Sequence, residues 1–164
     1  MSRYRPPRSA STPLITASGA QRLRDELDEL WRLKRPAVTQ SVSEAAALGD
    51  RSENAEYIYG KKMLREIDSR VRFLRKRLEA LKVVDQPPSD PTKIYFSAYV
   101  ELEDEDGKAL CVRIVGPDEI DPKQQHISID SPMARALLGK TLDDEICVQA
   151  PGGERLYWVT AIRY

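Results

Sequence analysis

The stretch LREIDSRVRFLRKRLEAL, residues 64–81, sets Leu64, Ile67, Val71, Leu74, Leu78 and Leu81 in an uninterrupted alternation of three and four. In an α-helix that spacing gathers the apolar side chains into one narrow stripe, the seam of a coiled coil. A seam needs a partner, and the chain supplies one upstream. From Thr16, read as an N-cap, Leu23, Leu27, Leu30, Ala37 or Val38, Val42 and Ala45 recur at helical spacing, which predicts a first helix of roughly thirty residues. Pro36 lies inside it and removes one backbone hydrogen bond, so a bend is expected there, not an end. Only LGDRS separates the two patterns. A connection that short makes the helices antiparallel neighbours, each arm on the order of 45 Å long.

Beyond the second arm the character changes. VDQPPSDPTK carries three prolines and reads as a linker. The segments IYFSAYVEL (94–102), ALCVRIV (109–115), HISI (126–129), EICVQ (145–149) and LYWVTAI (156–162) have strand composition. Ser131 followed by PMARALL predicts one short helix, with serine at its cap and Pro132 at its first position. The expected fold is therefore α+β: a tail at 1–13, a coiled-coil hairpin at 14–84, a linker at 85–93 and a small, mostly antiparallel sheet domain at 94–164. The tail, MSRYRPPRSASTP, has almost nothing to bury and is expected to be disordered.

The formal net charge is zero, yet residues 1–84 hold 18 Lys and Arg against 11 Asp and Glu, while residues 85–164 hold 8 against 15. Two surfaces of opposite sign imply two kinds of partner, a polyanion or an acidic groove for the first half and a basic contact for the second. Cys111 and Cys147 fall in strands and are expected to be reduced core residues. No apolar run approaches the length of a membrane span, and no signal sequence is evident, so the expected location is the cytoplasm.

The tip is where chemistry concentrates. Residues 43–60 carry Glu44, Asp50, Glu53 and Glu56 against Arg51 alone, whereas residues 61–77 carry eight Lys and Arg against Glu66 and Asp68. At 100° per residue Lys61, Arg65, Arg72 and Lys76 form one stripe about 22 Å long, away from the seam. An acidic apex on a basic shaft suits a rod that holds phosphates along its side and offers carboxylates to a hydrated divalent cation. The structural alternative is that D-x-x-E at residues 50–53 is a capping box and the stripe a solvated face. Two carboxylates alone make a poor Mg²⁺ cage, so the rest of any metal site would lie on another molecule.

The blocks LGDRSENAEY, KKMLREIDSRVRFLRKRLE, RIVGPDEID and ISIDSPMARALLGK, taken in order, resemble the bacterial Gre transcript-cleavage factors, most closely those of the GreB type. The dense basic arm and Trp31 in ELWRLKRP carry the subtype. The resemblance runs from about Leu14 to Tyr164; the N-terminal tail and the linker depart from it. It implies a monomeric elongation factor that inserts its coiled coil into the secondary channel of a backtracked RNA polymerase and stimulates the polymerase's own RNA cleavage, without being an enzyme itself.

By the same resemblance, Asp50 and Glu53 would be the catalytic and metal-binding residues, holding a Mg²⁺ shared with the polymerase. Lys61, Lys62, Arg65, Arg72 and Lys76 would contact the extruded 3′ end of the nascent RNA. Asp130, Ser131, Pro132 and Met133, in a domain of FKBP-like fold, would dock on the coiled coil at the channel rim. The alternatives are a non-catalytic channel inhibitor or scaffold, a self-sufficient Mg²⁺ nuclease, and a prolyl isomerase suggested by fold alone.

Overall fold

The computed structural model describes residues 11–49, 51 and 53–164, and the chain divides into two compact units. One unit, Ser18–Leu81, is helical; the other joins the N-terminal segment through Ala17 to Lys82–Tyr164.

In the helical unit the first arm is α1 (Ala17–Glu29), a π-helical turn (Leu30–Lys34) and α2 (Arg35–Ala47); the second is α3 (Ala55–Ala80). The bend expected at Pro36 takes the form of that π turn. Proline offers no N–H and its ring crowds the carbonyl four residues back, so the helix widens, and the Arg35 N–H reaches the Leu30 carbonyl. Along α3 the seam is as read: Ile67, Val71 and Leu74 are buried, with Leu64 and Leu78 half-buried. Leu23 and Ala45 bury the facing stripe. The arms pack tightly at Gly60, where a Cβ would stand 2.5 Å from Val42 Cγ2. Ion pairs fasten the flanks, Arg70 bidentate to Glu26 at 2.6 and 2.8 Å and Arg35 to Asp68 at 2.7 Å.

The second unit opens with two three-residue strands, β1 (Leu14–Thr16) and β2 (Lys82–Val84), paired in parallel. Both lie within the bounds expected for the hairpin, 14–84, at ends that the helical periodicity does not reach. Pairing between residues so far apart in sequence leaves no local pattern to read. The main sheet has the order β5-β4-β3-β7-β6, from β3 (Tyr99–Asp104), β4 (Ala109–Val115), β5 (His126–Ser128), β6 (Glu145–Ala150) and β7 (Gly153–Arg163). All neighbours are antiparallel except β4 and β5. The helix α4 (Pro132–Leu137) contributes Ala134 and Leu137 to a core with Val100, Leu102, Ile114 and Val159.

Two expectations change here. The strand predicted at 94–102 begins only at Tyr99, because Ser97 takes a φ of 72° and turns the chain, while Ile94 pairs instead with Gly139 and Lys140. Cys111 is half-buried and Cys147 is exposed, so neither is a core residue; both thiols are free. Ile146 and Val148 are the inward residues of β6, and strand alternation turns Cys147 outward. No described helix is long and apolar enough to cross a membrane.

Candidate functional site

At the tip, α2 closes on Leu48, and Gly49 follows with a φ of 130°, a left-handed conformation that glycine adopts without penalty. The cap of α3 is Asn54. Its Oδ1 accepts the Tyr57 N–H at 3.1 Å, and its Nδ2 donates to the Ala45 carbonyl at 2.8 Å, tying the two arms together. Glu53 therefore precedes the cap and is exposed, and the capping-box role is not its own. Glu56 lies in the first turn of α3, where a carboxylate suits the positive helix end. Arg51 sits with its guanidinium 5.8 Å from the Tyr57 ring. Asp50 and Ser52 lie outside the described residues. Among the described residues no group of three potential metal ligands comes together. Among the described residues of the tip, Glu53 and Glu56 are exposed carboxylates, a donor type that suits a largely hydrated Mg²⁺ only where another molecule completes its shell.

Along the shaft Lys61, Lys62, Arg65, Arg72 and Lys76 are all exposed on α3. Asp68, the one acidic residue that interrupted the stripe, is taken up by Arg35 of the other arm, and that hydrogen bond holds its carboxyl below the usual carboxylate range. The stripe is thereby left more positive than the sequence count suggests. Beside it Trp31 is contacted by two guanidinium groups, Arg75 at 4.5 Å and Arg35 at 5.2 Å from the ring centroid. This cluster was not foreseen. Its sequence trace is the spacing of Trp31 and Arg35 on neighbouring turns, but nothing local pointed to Arg75.

In the sheet unit the Ser131 Oγ accepts the Ala134 N–H at 3.2 Å and caps α4, with Pro132 next to it. Asp130 receives both the N–H of Thr12, at 3.0 Å, and its hydroxyl. An apolar groove beside Ser131 is lined by Leu110, Val112, Ile120, Pro122, Ile127 and Met133. Of the four residues expected to dock, Pro132 is exposed, Asp130, Ser131 and Met133 are half-buried, and Asp130 is engaged by Thr12.

An N-terminal domain model of transcription elongation factors of the GreA/GreB kind matches residues 13–83, and the GreA/GreB C-terminal domain model matches residues 88–164. The chain belongs to the GreA/GreB family of transcription elongation factors. It is of the GreB type. It is 70% identical to transcription elongation factor GreB of Pseudomonas aeruginosa over 100% of this chain and 98% of that protein. It is 61% identical to GreB of Yersinia pestis, over 94% of this chain and 91% of that one. GreB of Xanthomonas axonopodis is 56% identical over 100% and 98%. These GreB relatives match the chain through both units, so the resemblance drawn from four blocks extends to the whole hairpin and sheet.

Proposed function

We propose that the chain stimulates the endonucleolytic cleavage of backtracked nascent RNA by RNA polymerase, its helical tip entering the secondary channel and its sheet unit docking at the rim. The observation that carries the reading is the division of the hairpin into an apex whose Glu53 is solvated and free of capping duty and a shaft whose basic stripe is exposed. Membership of a family of elongation factors supplies the machine on which such a rod acts.

In this reading Asp50 and Glu53 hold Mg²⁺ together with the polymerase. When bound, the ion supplies the charge that activates a water and stabilises the oxygens of the phosphodiester. The chain's own part is positional. Asn54 fixes the end of α3, so Glu53 is held at a defined point, while Lys61, Lys62, Arg65, Arg72 and Lys76 draw the displaced RNA along the shaft through its phosphates. Contacts of that kind carry no base readout, so cleavage should not depend on RNA sequence. Ser131, Pro132 and Met133 face the partner at the rim, with the apolar groove beside Met133 available for a side chain of the polymerase.

The test uses purified polymerase backtracked on a labelled transcript. Addition of the protein with Mg²⁺ is expected to release a 3′ RNA fragment and restore elongation. Cleavage of the same RNA without polymerase would instead make the chain a nuclease, and binding without cleavage would make it a channel inhibitor.

A further inference from the structure

Trp31 lines an open pocket of about 450 Å³ on the flank of the helical unit, together with Val71, Arg72, Arg75 and Lys76. That volume lies within the range of small-ligand sites. The indole is 43% exposed, so packing between the arms does not use it up, while Val71 is buried. Trp31 also belongs to the π-helical turn at Leu30–Lys34, a local widening of the helix that recurs at functional sites. No role has yet been given to this ring.

The charges around it are unequal. Four cations, Arg35, Arg72, Arg75 and Lys76, border the pocket against two carboxylates, Asp68 and Glu79. Asp68 is already taken by Arg35 at 2.7 Å. Arg75 is placed differently: its guanidinium lies 4.5 Å from the indole centroid and, among the described residues, forms no ion pair. Attraction to a ring holds the guanidinium without occupying its N–H donors as a carboxylate does, so they stay available to a ligand. Arg72 and Lys76 belong also to the exposed stripe of the shaft. An anion suits the excess charge, and a flat aromatic group suits the indole and the guanidinium on it. Single-stranded nucleic acid brings both within one nucleotide, whereas a duplex keeps its base faces in its own stack and an acidic peptide offers carboxylates without a ring.

We propose that this pocket holds one nucleotide of single-stranded RNA, its base stacked on the Trp31–Arg75 pair and its phosphates against Arg72 and Lys76. Stacking of this kind is tolerant of sequence, because every base has a π-face. It therefore adds affinity to the phosphate contacts without adding base readout. It also gives the strand a fixed point along a shaft on which charge alone would let it slide. The inference rests on the function proposed above, which makes the threaded RNA the ligand, and it deepens that reading by one subsite.

The experiment titrates the full chain, at low salt and without polymerase, with a labelled single-stranded oligoribonucleotide and with a strand of the same length carrying abasic sugars. Anisotropy of the label reads affinity, and tryptophan fluorescence reads the ring. Trp31→Leu keeps an apolar side chain but no π-face; it is expected to weaken the oligoribonucleotide on the order of tenfold, to leave the abasic strand within about twofold, and to leave the salt slope unchanged. Trp31→Phe keeps a face and is expected to hold affinity within about threefold. Binding should quench the fluorescence of the wild type but not of Trp31→Phe, whose one remaining tryptophan is Trp158 of β7. Arg75→Gln is expected to lower the slope of log affinity against log salt by about 0.7. Equal losses on both strands in Trp31→Leu would overturn the proposal, since the ring would then act only by supporting Arg75. Undiminished affinity in Trp31→Leu, or no binding of the oligoribonucleotide by the wild type, would overturn it too. Should the wild type bind as described yet fail to stimulate cleavage in backtracked complexes, the pocket would stand and the proposed function would fall.

Discussion

The Asn54 side chain donates to the Ala45 carbonyl across the tip at 2.8 Å while capping α3 through the Tyr57 N–H. One residue thus performs both structural tasks at the apex, and the neighbouring carboxylate of Glu53 is relieved of them. The two roles can be separated by mutation. Asn54→Ala is expected to destabilise the helical unit by about 1–2 kcal/mol, the usual cost of a lost cap. Glu53→Gln is expected to stay within about 0.5 kcal/mol of wild type, as surface substitutions do. Urea unfolding followed by helical circular dichroism measures both; an equal loss for Glu53→Gln would return that residue to a capping role.

At Gly60 the arms leave no room for a side chain. Adding a methyl group there would drive it into Val42 Cγ2, and a β-branched side chain on a helix has little rotamer freedom to yield. Gly60→Ala should therefore cost about 1–3 kcal/mol despite the better helix propensity of alanine. Pairing it with Val42→Ala should recover most of the loss. A stabilised single variant in thermal unfolding would show that the arms can part there freely.

Charge on the shaft predicts salt dependence. If Arg72 and Lys76 each neutralise one RNA phosphate, removing both should reduce the slope of log affinity against log salt by about 0.7 per contact. The readout is crosslinking of the extruded RNA to the protein in backtracked complexes across a salt series. The loss should be alike for pyrimidine-rich and purine-rich transcripts. A loss confined to one sequence would point to base recognition in place of phosphate contact.

Acid should weaken the flank ion pairs. The Arg35 hydrogen bond holds the Asp68 carboxyl below its ordinary range, and the Arg70 hydrogen bond does the same for Glu26. A carboxylate with a depressed folded-state pKa stabilises the fold above its unfolded value of about 4, and that contribution is lost as pH falls through the lower folded value. The urea midpoints of wild type and an Asp68→Asn, Glu26→Gln double variant should therefore differ at pH 7 and converge towards pH 2. Both pairs are partly exposed, so the difference should be small. An undiminished gap at low pH would assign the effect to packing.

How much of this could be read from the chain follows from the range of each interaction. The second arm was legible because Ile67, Val71 and Leu74 repeat at helical period and are the residues that bury. ALCVRIV was legible as β4, from its own composition and the Gly-containing turns beside it. Cys147 could have been turned outward by the alternation around it. Three features had no local signal: the pairing of β1 with β2, the approach of Arg75 to Trp31, and the hydrogen bonds from Thr12 to Asp130. Each joins residues tens of positions apart. At the tip the signal was present but double, since Asp50 and Asn54 both have capping chemistry and only the backbone decides that α3 begins at Ala55.

The central claim is that the apex acts on another machine's reaction, and cleavage rates in backtracked elongation complexes saturated with Asp50→Asn or Glu53→Gln test it most directly. Binding to polymerase should persist in both, with release of the 3′ RNA fragment reduced on the order of a hundredfold, as expected when groups supporting the reacting centre are removed. Near-normal fragment release by both variants would contradict the account.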